Sequence, residues 1–246
     1  MGADNMQANY IWHEGADQLS LAENLAGELI VKMDAAIADK GSVVLALSGG
    51  STPKPLFQTL SEYDLDWSKV IITLVDERWV NESHALSNAA FMKTFLLNNL
   101  PESVCFIPLF QQADSVVSSL PDVLADYCKA TNSAVSSPRA FDIVVLGMGE
   151  DGHTASFFPD ASNVVDLLDI DNKQALLTCN SPSTQVERVT WSLPMLLNAD
   201  FLALHFTGAT KKQVFEQALL SDESTELPIR SVIFQSHTPL NVYYAN

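Results

Sequence analysis

The stretch Val43-Val-Leu-Ala-Leu-Ser-Gly-Gly-Ser-Thr-Pro53 decides the fold class of this chain. Its first five residues are all apolar, which is typical of a strand buried on both faces at the centre of a parallel sheet. The glycine pair that follows permits a tight turn, and Thr52 and Pro53 suit the N-cap and the first position of a helix. A strand, a glycine turn and a helix start in this order predict a βα unit.

The same alternation of strand and helix patterns recurs along the chain. Apolar residues at three- and four-residue steps predict a helix over residues 16–39. Further predicted strands cover residues 70–75, 141–146, 175–178, 201–206 and 241–244, and further predicted helices cover residues 87–97 and 209–220. Together these patterns predict a Rossmann-like, doubly wound α/β fold, with a mainly parallel sheet, helices on both faces and a single domain over residues 1–246.

Composition and charge exclude several classes of function for this chain. The chain has 246 residues, of which 47% are hydrophobic and 17% charged, so it can bury a sizeable core. The net charge of −17 argues against a nucleic-acid partner or an anionic membrane surface, since both need a basic patch. No apolar run reaches the roughly 18 residues of a membrane span. Residues 1–6 lack the basic segment of a signal peptide, so we expect a cytoplasmic protein.

The cysteines are Cys105, Cys128 and Cys179, an odd number at wide spacings with no CxxC pair. This spacing is typical neither of a disulfide framework nor of a zinc cluster. We therefore expect three buried, unreactive thiols.

The turn at Ser48, Gly49 and Gly50 is a candidate anion-binding site. Backbone N–H groups at the start of a helix, together with the helix dipole, bind phosphate and similar anions. A turn that needs glycine for its geometry alone would show the same pattern. The segment is neither a Walker loop nor a GxGxxG motif, so nucleotide binding is not predicted.

Candidate ligand-binding residues follow other predicted strands. Asp76 and Arg78 come directly after the strand over residues 70–75, where a carboxylate and a guanidinium can orient a hydroxyl and hold a phosphate. A salt-bridged loop would show the same residues. Arg188 precedes an apolar segment, and Lys211 lies in the first turn of a predicted helix, where a cation opposes the helix dipole unless an anion is present. Solvated surface cations are the alternative for both.

The segment Gly147-Met-Gly-Glu-Asp-Gly-His-Thr-Ala-Ser-Phe-Phe-Pro159 carries the candidate catalytic base. Asp151 and His153 lie two residues apart in a glycine-rich loop after an apolar strand. A histidine titrates near neutral pH and can accept a proton from water, while a carboxylate can orient its ring. A loop histidine satisfied by backbone groups is the structural alternative. His205 lies inside an apolar strand pattern, so we expect a satisfied core residue there.

In this order, the segments resemble the 6-phosphogluconolactonases, which share a superfamily with the glucosamine-6-phosphate deaminase/isomerases. The similarity covers most of the chain. It is carried by the SGGSTP turn, Asp76-Glu-Arg78, the GxGxDGHTASxFP segment, Arg188-Val-Thr190 and Gly208-Ala-Thr-Lys211. The resemblance implies a Rossmann-like fold, no cofactor and no metal. It also implies hydrolysis of 6-phosphoglucono-1,5-lactone to 6-phosphogluconate in the pentose phosphate pathway.

Two positions separate this chain from the deaminases. The deaminases place a proton-transferring glutamate five residues after the histidine, whereas this chain has Phe158. They also lack the arginine that this chain has as Arg78. One departure from the lactonase pattern is that the family usually carries an aspartate near the end of its last strand. This chain ends Val242-Tyr-Tyr-Ala-Asn246, so no C-terminal catalytic residue is expected.

The resemblance leads to a hypothesis for each candidate residue. His153 is expected to act as general base on water, Asp151 to orient its ring, and Asp76 to contact sugar hydroxyls. The phosphate is expected to bind Ser48, Gly49, Gly50, Arg78, Arg188 and Lys211. The alternatives are a deaminase/isomerase and a non-catalytic sugar-phosphate sensor, although a sensor would normally carry an output domain. The expected partner is a small sugar phosphate, and the oligomeric state is not predicted.

Overall fold

The computed structural model describes residues 8–184 and 186–246. Residues 1–6, on which the expectation of no signal peptide rests, lie outside this part. The strands are β1 (Tyr10–Glu14), β2 (Val43–Leu47), β3 (Val70–Leu74), β4 (Asp76–Arg78), β5 (Cys105–Ile107), β6 (Ile143–Leu146), β7 (Leu176–Cys179), β8 (Arg188–Trp191), β9 (Phe201–Thr207) and β10 (Leu240–Ala245).

Helices connect most of these strands. They are α1 (Gln18–Lys40), α2 (Lys54–Leu60), α3 (Asn88–Phe95), α4 (Val116–Ala130), α5 (Val164–Leu167), α6 (Leu193–Leu197), α7 (Ala209–Leu220) and α8 (Arg230–Ile233). The longest, α1, begins where the Asp17 side chain accepts a 2.8 Å hydrogen bond from the backbone N–H of Ser20. It ends at Gly41, whose φ of 77° favours glycine.

A seven-stranded parallel sheet runs in the order β1-β10-β9-β6-β2-β3-β5. From β2 the chain winds outward through β3 and β5, and the later strands β6, β9 and β10 extend on the other side. The winding therefore reverses between β2 and β6, which confirms the predicted doubly wound fold. Such a reversal leaves a crevice at the carboxyl ends of the two strands. Ser48 and Gly147 come directly after them, and the Gly147 N–H donates to Ser48 Oγ at 3.1 Å.

A second sheet was not predicted. The strands β4, β8 and β7 form an antiparallel sheet in that order. The strand predicted over residues 175–178 belongs to this sheet, and Asp76–Arg78 forms a strand of it rather than a loop. The Trp191 indole N–H donates to the Leu74 carbonyl at 2.9 Å, which fastens the small sheet to the large one.

Some local predictions were wrong or incomplete. The strands β1 and β5 and the helix α4 were missed, and β1 pairs along the outer side of β10 at the edge of the sheet. The helix α2 begins at Lys54, and no side chain caps its N-terminus, so the predicted Thr52 cap does not form. The strands β1 and β5 are short and lie at the two edges of the sheet, where the hydrophobic pattern is weak. The helix α4 spans 15 residues but contains Pro121, a residue that ordinarily interrupts a helix.

The cysteines are free thiols, as expected, but not equally buried. Cys128 and Cys179 are buried and Cys105 is half-buried. Burial raises the pKa of the Cys179 thiol to about 11, which disfavours the reactive thiolate. Within residues 8–184 and 186–246, no helix has the length and apolar character that crossing a bilayer requires.

Candidate active site

A cleft of about 240 Å³ opens at the carboxyl ends of β2 and β6. All of the predicted site residues except Asp151 line it. They are Ser48, Gly49, Gly50, Asp76, Arg78, His153, Arg188 and Lys211. The parallel sheet thus brings together residues that are more than 160 positions apart, at the strand switch point where ligands bind in folds of this type.

His153 and Asp151 form a hydrogen-bonded pair at the edge of the cleft. His153 Nδ1 lies 2.5 Å from Asp151 Oδ1, and the same oxygen accepts the His153 backbone N–H at 3.1 Å. Burial acts to raise the pKa of Asp151, but the hydrogen bond and charge of His153 outweigh it and hold that pKa below its usual value. An ionised Asp151 accepts the Nδ1 proton, so Nε2 is the ring nitrogen left to act as a base.

Two neighbours in the same loop also hold the imidazole. The Gly149 N–H donates to the His153 carbonyl at 2.9 Å, and a Cβ at Gly149 would overlap His153 Nδ1. The Phe158 ring stacks on the imidazole with centroids 4.2 Å apart. The Arg188 guanidinium carbon lies 4.8 Å from the centroid of the same phenyl ring. Phe158, which in the sequence only marked a missing glutamate, therefore contacts both a candidate base and a candidate phosphate ligand.

Asp76 joins the small sheet to the histidine loop. Its Oδ2 accepts a 2.6 Å hydrogen bond from Ser156 Oγ and lies 3.5 Å from Arg188 Nη1. The residue is buried, yet it lines the cleft. Ser156 was not predicted as a site residue, because only the fold brings it beside Asp76.

Glu77 is a further residue that sequence reasoning missed. Its fully buried carboxylate accepts the backbone N–H groups of Arg78, Asn88 and Ala89 at 2.7–2.8 Å. Burial raises the pKa of Glu77, and these donors offset only part of the rise. Asn88 in turn donates to the Asp76 carbonyl at 3.0 Å and accepts from Arg78 Nη1 at 3.0 Å. Glu77 thus anchors the start of α3, and Asn88 positions the arginine.

Arg78 and Arg188 lie directly opposite each other on the antiparallel strands β4 and β8. Like charges in this arrangement repel. Burial lowers the pKa of Arg188. The Asp76 carboxylate raises this pKa, whereas the Arg78 charge lowers it further. Within the described part of the chain, the buried Nε atoms of both arginines have no hydrogen-bond partner. Two like charges side by side at the cleft favour the binding of an anion between them.

Lys211 and the glycine turn of residues 48–50 also line the cleft. Lys211 lies in the first turn of α7, where burial lowers its pKa against the opposing effect of the Glu150 carboxylate. Gly50 has a φ of 98°, a left-handed conformation that favours glycine. Ser48 Oγ accepts from the Gly147 N–H, so its own hydroxyl proton is available to a ligand.

His205 corrects a prediction. The residue is buried, as expected, and only 3% exposed, but it is not satisfied. Its Nε2 finds no hydrogen-bond partner in residues 8–184 and 186–246, and the residue lines the cleft. Burial and the charge of Lys211 lower the pKa of His205 to about 4, so the ring is neutral. An orphaned buried polar group costs about 1–3 kcal/mol unless a water or a ligand supplies its partner.

The chain is thus an α/β protein whose doubly wound sheet carries an imidazole–carboxylate pair and three cations near its switch point, a combination that suits an anionic ligand. The chain belongs to the family described as glucosamine-6-phosphate isomerases/6-phosphogluconolactonase, whose model matches residues 16–241.

Individual relatives share most of their length with this chain. It is 40% identical to the 6-phosphogluconolactonase of Mesorhizobium japonicum, over 97% of this chain and 96% of that protein. It is 38% identical to the 6-phosphogluconolactonase of Rhizobium meliloti, over 92% and 94% respectively. The crystal structure of a 6-phosphogluconolactonase from Shewanella baltica superposes with a TM-score of 0.89 at 33% identity, covering 96% of this chain and 98% of that one. The family resemblance and the fold class expected from the sequence are thereby confirmed.

Proposed function

We propose that this chain hydrolyses 6-phosphoglucono-1,5-lactone to 6-phosphogluconate, the oxidative-branch step of the pentose phosphate pathway, with His153 as general base. The observation that carries the proposal is that the basic nitrogen of an Asp151-oriented imidazole shares one cleft with Arg78, Arg188 and Lys211. The relatives named 6-phosphogluconolactonase support the same reaction.

In the first chemical step, His153 Nε2 takes a proton from water while the water oxygen attacks the C1 carbonyl of the lactone. Asp151 stabilises the imidazolium that forms, because its carboxylate already holds the Nδ1 proton. The tetrahedral oxyanion then re-forms the carbonyl, the bond from C1 to the ring oxygen breaks, and His153 returns its proton to that oxygen. General-base catalysis of this kind contributes about 10²–10⁴-fold.

The phosphate supplies the binding energy that positions the carbonyl. Arg78 and Arg188 face each other across two strands with unpartnered Nε atoms in the described structure, and a phosphate between them would relieve their repulsion. Lys211 and the turn of Ser48, Gly49 and Gly50 border the same space. Asp76, bound through Oδ2 to Ser156, is proposed to accept a sugar hydroxyl with Oδ1.

The test is proton release on adding freshly made 6-phosphogluconolactone, compared with the buffer rate. His153→Ala should lower kcat by at least roughly 10²-fold and leave KM within a few-fold, since it removes the base and not the phosphate ligands. His84→Ala, at an exposed histidine outside the cleft, is the matched control and should keep wild-type turnover. Near-normal turnover of His153→Ala would remove His153 from the base role.

The alternatives are distinguished by simple assays. A deaminase/isomerase would release ammonia from glucosamine 6-phosphate, but Phe158 occupies the position of its proton-transferring glutamate, and the relatives do not favour this activity. A non-catalytic sensor would bind the lactone without accelerating proton release.

Three broader expectations belong to the same proposal. We propose that residues 1–246 act as one domain, supported by the Trp191 hydrogen bond between the two sheets. The net charge of −17 supports an enzyme without a nucleic-acid partner, and we propose that it acts in the cytoplasm. Limited proteolysis, cell fractionation and a nucleic-acid binding assay test these three points in turn.

A further inference from the structure

The floor of the cleft contains a polar group that the proposed mechanism does not use. His205 lies on β9, between the strands β6 and β10, and every residue of β9 from Phe201 to Phe206 is buried. A histidine in such a strand normally has hydrogen-bond partners. Nε2 of His205 has none in the described part of the chain, and the residue borders the same space as Ser48 and Lys211.

We propose that His205 binds the substrate, and that its Nε2–H donates a hydrogen bond to a phosphate oxygen beside Lys211. This inference rests on the proposed phosphorylated substrate. A neutral imidazole offers one N–H donor, and a phosphate monoester offers only acceptors on its charged oxygens. The ligand would thus supply the partner that Nε2 lacks. Nε2 is covered in this structure, so binding involves a small shift of a lining side chain, as is common when ligands bind.

Lys211 makes the phosphate a better partner than the lactone ring. It stands in the first turn of the helix that follows β9, and its charge acts on His205. A protonated His205 would repel Lys211, whereas a neutral His205 adds a donor to the anion site without adding a charge. The two side chains therefore complement each other around one anionic group.

The experiment measures competitive inhibition of lactone hydrolysis by 6-phosphogluconate, inorganic phosphate and gluconate. His205→Leu should raise the inhibition constants of the two phosphate-bearing ligands roughly tenfold, the value of one hydrogen bond to a charged acceptor. The constant for gluconate should not change. His205→Gln, whose amide N–H reaches a similar position, should restore most of the affinity. Only folded enzyme contributes to the measured rate, and an inhibition constant does not depend on the enzyme concentration. A loss of stability in a variant therefore leaves this constant unchanged.

His13→Leu is the matched control, because His13 is a half-buried histidine on β1 that does not line the cleft. Unchanged phosphate inhibition in His205→Leu would overturn the inference, and so would a His205→Gln variant as weak as His205→Leu. In both cases, wild-type hydrolysis of the lactone would leave the proposed function intact. A wild-type chain that neither hydrolyses the lactone nor binds phosphate would instead overturn the proposed function.

Discussion

His153 is held by three neighbours from its own loop. Asp151 binds Nδ1, the Gly149 N–H binds the main-chain carbonyl, and Phe158 stacks on the ring. All lie within five positions of His153, so the orientation of the proposed base is encoded locally. A change at any of them should act on kcat before it acts on phosphate binding.

Gly149→Ala tests this local arrangement. The added methyl group would overlap both His153 Nδ1 and Asp151 Oδ1, so the pair must move apart. We expect kcat to fall by roughly 10–100-fold, because about 1 Å of misplacement can cost 10²-fold, while KM changes little. Steady-state proton release measures both parameters.

Gly147→Ala is the control at the other end of the same loop. Its added Cβ would meet only the Ser48 Cβ, at an ordinary 3.8 Å. Activity within a few-fold of wild type is expected for this variant. Equal losses of kcat in the two variants would contradict a specific role for Gly149.

At the scale of elements, the pairing of β4 with β8 creates the proposed phosphate site. The antiparallel register places Arg78 opposite Arg188 and Asp76 opposite Thr190. Glu77, on the same strand, points away from the cleft arginines and binds the N-terminal N–H groups of α3. A three-residue strand thereby fixes both a cation and the helix that supports it.

Arg188→Met tests the arginine pair. We expect KM for the phosphorylated lactone to rise by about 10–100-fold, as for loss of a charge-assisted hydrogen bond, with kcat nearly unchanged. Stability should fall, because the buried Asp76 carboxylate loses its Arg188 partner, although relief of the repulsion from Arg78 offsets part of the loss. The comparison of KM for phosphorylated and plain gluconolactone checks the assignment, since only the former should be affected.

Arg139→Met is the control for Arg188→Met, because we expect it to change stability and not KM. Arg139 donates to the buried Asp142 carboxylate at 2.8 Å and does not line the cleft. Its loss should lower the free energy of unfolding by about 1–3 kcal/mol and leave KM unchanged. Equal KM effects of the two arginine variants would argue against a phosphate site at Arg188.

At the scale of the whole molecule, the doubly wound topology places cations in a cleft of a protein whose net charge is −17. Arg78 on β4, Arg188 on β8 and Lys211 in the first turn of α7 come from three different parts of the chain, and the fold brings them to one cleft. The acidic exterior and the cationic cleft are thus compatible features of one protein.

Burial of His205 should make global stability depend on pH. The pKa of this ring is about 4 in the folded chain and ordinarily 6.5, so between these values the unfolded chain binds more protons. Stability from this group is present above pH 6.5 and is lost as the pH falls toward 4, by up to about 3 kcal/mol. Urea unfolding between pH 7.5 and 4 measures the loss.

His205→Leu isolates this contribution from the titration of the acidic surface. The variant should lose less stability than the wild type over the same pH interval, whereas His13→Leu should follow the wild type. Parallel pH profiles for the wild type and His205→Leu would show that His205 is not buried as a neutral ring.

Much of the fold was accessible from local patterns. Val43–Leu47 and the glycine turn after it, like the helix Ala209–Leu220, carry their signals within a few residues. The strand β5 was missed because three residues are too few to show a hydrophobic period. The strand β1 was missed because it lies at the edge of the sheet and mixes polar with apolar residues. The second sheet was missed because pairing of β4 with β8 joins segments more than 100 positions apart.

The sequence by itself determined the βα alternation, the Asp151–His153 pair and the family, because each depends on residues that are close along the chain or on a specific motif. Only the tertiary structure decided that Arg78 faces Arg188, that Glu77 anchors α3 and that His205 lies unpartnered at the cleft. The physical reason is that opposition of charges, burial and an unmet hydrogen bond are properties of neighbours in space. No spacing along the chain encodes them.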